Sequence, residues 1–292
     1  MGFYLLTCLM PLTRFSAPRL RLLLAILTAC AASASLAAEP APTIDSIAGR
    51  RVESLTIRNP AASFVVVFEA GSRATIGNWG RVPADVSRDA TVFAYNRPGY
   101  GNSEAAGTPR DGRTVVEELR QLLQSKGLKP PYVLVGHSLG GLYMQLFARA
   151  HPDEVKGLVL VDALYPRVVK RTEDFPLGTR LAGRMWFSRT VWQEIEKIDE
   201  TGEAVLVLPD IDDKPIVRLV NQPKPHRGET LPKAVDFGAF RFDKASMDTV
   251  RKLYPKARTV VVDASHQMAL STPDVVVDAI HSVLIQAATG QP

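Results

Sequence analysis

The hydrophobic pattern of this chain switches repeatedly between two periods. Short solid apolar runs at residues 64–68, 91–95, 132–135, 155–161, 215–220 and 259–263 predict buried strands. Residues 52–58 alternate instead, as an early, half-exposed antiparallel strand does. Helical stripes fall between the runs. Val115, Val116, Leu119, Leu122 and Leu123 form one, stopping at Gly127, and Leu139, Leu142, Tyr143, Leu146 and Phe147 form a second. A last helix turns Val275, Val276, Ala279, Ile280, Val283 and Leu284 inward. Strand and helix in alternation predict an α/β fold, a mostly parallel central sheet with helices on both faces. One stretch, about residues 163–214, breaks the rhythm and carries Met185, Trp186, Phe187, Val191 and Trp192 at partly helical spacing. An insertion at the carboxyl ends of parallel strands stands over the ligand crevice. It is therefore read as a small helical cap, with Trp186 and Trp192 expected to line an apolar substrate pocket. The plainer alternative is a surface helix whose aromatics pack on the body.

Composition separates a leader from this domain. Residues 1–38 place Arg14, Arg19 and Arg21 before the apolar run 22–27, with small residues following through Ala38. That is the layout of an export signal, and it reads well from Met10, with cleavage after Ala34 or Ala37. The apolar run is too short for a membrane-spanning helix. The stretch Leu27, Thr28, Ala29, Cys30 also matches a lipobox, in which a lipidated Cys30 anchors the chain to a membrane. The expectation is export, to a periplasmic or secreted location or as an anchored lipoprotein, with residues 39–292 as one domain. The chain's two cysteines, Cys8 and Cys30, both lie in the leader, so the domain has no disulfide to lean on. Lys and Arg number 35 against 30 acids; without the three leader arginines the excess falls to 32 − 30 = +2, no footprint for nucleic acid. No paired histidines, cysteine pairs or H-E-x-x-H stretch point to a metal, and no cofactor is expected.

Chemistry concentrates at Gly136, His137, Ser138, Leu139, Gly140. A strand, G-x-S-x-G and a helix are the context of a nucleophile elbow, a strained turn that lifts Ser138 onto a helix N-terminus and needs small neighbours at 136 and 140. A serine nucleophile needs a base and a group that orients the base. Of five histidines, only His266 sits in a loop just after a strand near the C-terminus. His137 lies inside the elbow, pointing away from where a base must stand, and reads as a packing or hydrogen-bonding residue. For the acid, Asp162 directly follows the strand at 157–161, while Asp236 is the alternative and Asp243 a further candidate nearer His266.

With these residues in place, the turn Asn96-Arg97-Pro98-Gly99-Tyr100-Gly101-Asn102-Ser103, the elbow, and Ser265-His266 followed by the helix from Pro273 resemble the α/β-hydrolase superfamily across residues 45–287. The likeness is greatest to bacterial esterase-like and epoxide-hydrolase-like enzymes, here with a serine nucleophile. Two positions depart from the family pattern: Ala70 precedes Gly71 where a His is usual, and Ser265 precedes His266 where a Gly is usual. The resemblance implies an oxyanion hole from the backbone N–H groups of Leu139 and Ser72. A serine, where dehalogenases and epoxide hydrolases carry an aspartate, implies acyl transfer. The expectation is an exported serine hydrolase cleaving carboxylic esters of small molecules, with Ser138 attacking, His266 shuttling the proton and Asp162 fixing the imidazole. The same residues would serve a lactonase, an amidase or aminopeptidase, or an acyltransferase. A lapsed triad would leave a non-catalytic binding protein.

Overall fold

The computed structural model describes residues 40–47, 49–222 and 244–290. Its strands are β1 (Thr43–Ile47), β2 (Arg50–Ile57), β3 (Val65–Glu69), β4 (Thr91–Tyr95), β5 (Tyr132–His137), β6 (Val155–Val161), β7 (Ile216–Asn221) and β8 (Arg258–Val262). Its helices are α1 (Val82–Val86), α2 (Gly112–Ser125), α3 (Leu139–Ala150), α4 (Leu177–Trp186), α5 (Arg189–Glu196), α6 (Ile198–Leu206), α7 (Lys244–Leu253), α8 (Met268–Ser271) and α9 (Pro273–Thr289).

The strands form one sheet in the order β1-β2-β4-β3-β5-β6-β7-β8. β2 pairs antiparallel with β1 and β4, and all pairings from β4 to β8 are parallel. The solid apolar runs have a simple cause, because both faces of the central strands are covered. In β3, Val65 and Val67 enter one core with Leu119, Leu123 and Phe147, while Val66 and Phe68 enter a second with Val86, Ile280 and Val283. Helices α2, α3 and α6 cover the first face, and α1 and α9 the second. Asp111 starts α2 by accepting the Thr114 N–H at 3.1 Å, and α9 begins at Pro273 and ends at Gly290 in the left-handed region.

The central strands fall within a residue or two of their predicted limits. β1 was not foreseen: its side chains are mostly exposed, and a two-sided polar edge strand carries no hydrophobic rhythm. α7 also escaped the sequence pattern. Between β6 and β7, helices α4 to α6 occupy the stretch where the rhythm breaks.

Candidate active site

Ser138 sits between β5 and α3 with φ 51° and ψ −121°, a conformation that costs a non-glycine residue and that its neighbours must enforce. They do so by close approach. A Cβ on Gly136 would collide with the Gly141 backbone, and one on Gly140 with the carbonyls of Glu69 and Ala70. The Ser138 carbonyl accepts from the Gly141 and Leu164 amides at 3.0 and 2.9 Å, which ties the turn to the loop after β6. Leu139 opens α3, so its N–H is among the helix's uncommitted donors. The Ser138 hydroxyl makes no hydrogen bond among the described residues.

That loop after β6 begins with Asp162, also at positive φ (41°). The Asp162 Oδ2 lies 2.6 Å from His266 Nδ1, and its Oδ1 accepts the Asn221 N–H at 3.2 Å. The Asp162 N–H donates to Leu219 O at 2.9 Å. The carboxylate is thus fixed from β7 on one side and holds the imidazole on the other. Asp236 and Asp243 lie outside the described residues.

His137, buried beside Ser138, donates from Nε2 to the His266 carbonyl at 2.8 Å. A carbonyl only accepts, so this bond selects the Nε2–H tautomer. Burial, and then the neighbouring His266 ring 4.6 Å away centroid to centroid, push the His137 pKa down to about 4. His137 is therefore neutral near pH 7 and acts on the backbone of His266.

The loop after β3 lies across from the serine: a Cβ on Gly71 would stand 3.0 Å from the Ser138 Cβ. A buried arginine holds this loop. Arg97 Nη1 donates to Ala70 O and to Glu69 Oε1, each at 2.6 Å, and Nη2 donates to Gly71 O at 2.9 Å. In a planar trans peptide the C=O and the next N–H point in opposite directions. Holding the Gly71 carbonyl therefore turns the Ser72 N–H away from Arg97. The guanidinium also meets Glu194 of α5, at 2.9 Å from Nε and 3.2 Å from Nη2, and Tyr100 donates its hydroxyl to Glu194 at 2.6 Å. Burial opposes the Arg97 charge, but Glu194, Tyr100 and Glu69 keep it protonated, well above the ordinary arginine range. Burial raises the Glu69 carboxyl, partly offset by Arg97 and by Tyr95, which donates to it at 2.6 Å. Sequence reading placed Arg97 only in a Gly/Pro turn and passed over Glu69 and Glu194. The available signal was a carboxylate at Glu194 on the same helix face as Val191, a place charge occupies only when paired.

The structure corrects the two tryptophans. Trp186 ends α4 with 83% of its surface exposed, not enclosed as a pocket wall would be. Trp192 is buried, but inside the cap: its ring covers Gly183, stacks on Phe187 at 6.4 Å, and donates Nε1–H to Glu196 at 2.7 Å. Both follow from one fact. The inner side of α4 is Gly183, so the bulky residues of that helix face outward. Among the described residues, no three His, Cys, Asp or Glu side chains gather as a metal site would require.

Residues 65–192, from β3 through the elbow to α5, match the family described as alpha/beta hydrolase fold. An uncharacterised protein of Bacillus subtilis is 33% identical over 105 residues, 36% of this chain and 42% of that one. A (lyso)-N-acylphosphatidylethanolamine lipase of Bos taurus is 31% identical over 101 residues, 33% of this chain and 29% of the lipase. The chain spans only 19% to 42% of the length of the first curated relatives it matches. Among solved structures, a membrane phospholipase A shares the fold at a TM-score of 0.58 and 15% identity, covering 93% of this chain and 99% of its own. The sheet order, the elbow between β5 and α3, and the family match over residues 65–192 together give this chain the α/β-hydrolase fold.

Proposed function

We propose that this protein is an exported serine hydrolase that cleaves carboxylic esters through an acyl-enzyme. The observation that carries this reading is the Asp162–His266 pair, 2.6 Å apart, beside a serine held at positive φ. The Ser138 Oγ attacks the ester carbonyl and passes its proton to His266 Nε2. Asp162 keeps the proton on Nδ1 and stabilises the imidazolium that forms. The tetrahedral oxyanion is held by the N–H groups of Leu139 and Ser72, and its collapse breaks the ester C–O bond as His266 protonates the leaving alkoxide. Water then attacks the acyl-serine with His266 as base, releasing the acid and restoring Ser138. His137 fixes the height of the His266 backbone, and Arg97 fixes the face of the Gly71–Ser72 peptide. The likeness to the bovine lipase supports an ester substrate, and the leader at residues 1–38 supports export.

A fluorophosphonate probe and short p-nitrophenyl esters test the reading. The expected result is labelling and hydrolysis by the wild-type protein, both lost in Ser138→Ala. Labelling that persists in Ser138→Ala, or no turnover of any ester in a panel of chain lengths, would sink it.

A further inference from the structure

The outward side of helix α4 has no role in this chemistry. Leu177, Leu181, Met185 and Trp186 are 62%, 53%, 81% and 83% exposed, four large apolar side chains on ten residues. Scattered apolar residues are ordinary on a surface, but such a cluster marks a contact site. At about 100° per residue, Leu177, Leu181 and Met185 form one continuous stripe. Arg180 and Arg184 border it on one side, Trp186 follows Met185 at the end of the helix about 100° further round, and Gly183 turns in against Trp192.

Along the chain, the charge flanking this stripe has one sign. Residues 175–193 contain three arginines, Arg180, Arg184 and Arg189, and no Asp or Glu. Arg184 is 67% exposed, with Glu196 only loosely engaged at 3.6 Å, and Arg189 is exposed. An apolar stripe with an arginine edge and a tryptophan at its end is the pattern of a helix that lies in a lipid–water interface. We propose that α4 seats this protein on an anionic lipid surface, which, resting on the ester-hydrolase reading, makes lipid esters presented at that surface its substrates. The arginines take the headgroup phosphates, and Leu177, Leu181, Met185 and Trp186 enter the acyl boundary. A second copy fits this surface less well. One ten-residue face falls far short of the roughly 800 Å² per partner of a stable interface, and it would bring arginine edges together.

The position of α4 serves the chemistry. Phe187, the next residue, lies under the Arg73 guanidinium at 5.6 Å, and Arg73 is two residues from Gly71. A lipid held at the end of α4 therefore lies against the loop that carries the oxyanion donor.

Trp186 supplies a local readout, because the other two tryptophans, Trp79 and Trp192, are buried. Full-length protein is mixed with phosphatidylcholine vesicles, with and without phosphatidylglycerol, carrying brominated acyl chains. The expected result is a blue shift and quenching of the Trp186 emission, identified by its absence in Trp186→Phe, on the anionic vesicles only. Leu181→Asp and Met185→Asp should each weaken this response by about tenfold or more, Arg180→Gln/Arg184→Gln should make it insensitive to salt, and all should hydrolyse short soluble esters at the wild-type rate. Vesicle binding through the leader with Trp186 unquenched overturns the proposal, as does equal quenching on neutral vesicles. So does a dimer in sedimentation that Leu181→Asp dissociates. Quenching without ester hydrolysis would remove the hydrolase reading and leave the docking surface standing.

Discussion

Asp162 holds a strained backbone because three partners reward it: Leu219 O takes its N–H, Asn221 N–H caps one carboxylate oxygen, and His266 meets the other. The sequence made this residue legible by position alone, at the end of an apolar strand. The Asn221 contact was not legible, since a backbone amide carries no side-chain signature. Asp162→Asn keeps the shape but favours the wrong imidazole tautomer, so we expect kcat to fall about 10⁴-fold with fluorophosphonate labelling slowed in step. Loss of only a few-fold would move the acid elsewhere. His137 gives a second, independent test. Its folded pKa, about 4, lies below the ordinary value of 6.5. Between these two values the unfolded chain binds a proton that the folded chain refuses. Stability is therefore full above pH 6.5 and falls as the pH drops toward 4, by roughly 3 kcal/mol at an order-of-magnitude level. Urea titrations at stepped pH should show that slope in the wild type and a shallower one in His137→Asn.

At the scale of elements, the strands were readable because burial on both faces leaves unbroken apolar runs, and α2 and α9 because one side faces a core. The cap was harder. Spacing alone does not tell whether a helical stripe points in or out, and in α4 the inward residue is a glycine. The joint between cap and sheet was also hidden, because Glu69, Arg97 and Glu194 lie far apart in sequence and meet only in the folded chain. Arg97 bonds the carbonyls of the loop after β3 as well as a carboxylate of α5, so the seating of the cap and the aim of the Ser72 N–H depend on one guanidinium. Arg97→Met leaves two buried carboxylates without their cation, and thermal or urea unfolding should show a loss of about 3–5 kcal/mol. Adding Glu69→Gln and Glu194→Gln should restore part of that stability. It should not restore kcat, because the Gly71 carbonyl still lacks its donor. Recovery of both together would reduce Arg97 to a packing role.

At the scale of the whole molecule, stability among the described residues rests on two apolar cores and a sheet, and no cysteine is there to brace them. The only cysteines are Cys8 and Cys30, both within residues 1–38. Among the described residues no helix is long and apolar enough to cross a membrane. Under the proposed export, location depends on residues 1–38, whose apolar run 22–27 is too short to span a bilayer. We expect protein recovered from the envelope of an exporting host to begin at Ser35 or Ala38, as intact-mass and N-terminal analysis would show. Such a chain contains no cysteine, so its melting temperature should be the same with and without a thiol reductant. A mature chain that begins at an acylated Cys30 would instead be a lipoprotein. In that case the lipid, and not α4, would decide whether the protein is on the membrane, and α4 would decide only how the site is turned toward it. Cys30→Ser separates the two. Release of the whole protein into the soluble fraction marks the lipid anchor, whereas an unchanged distribution leaves the contact to the exposed apolar residues of α4.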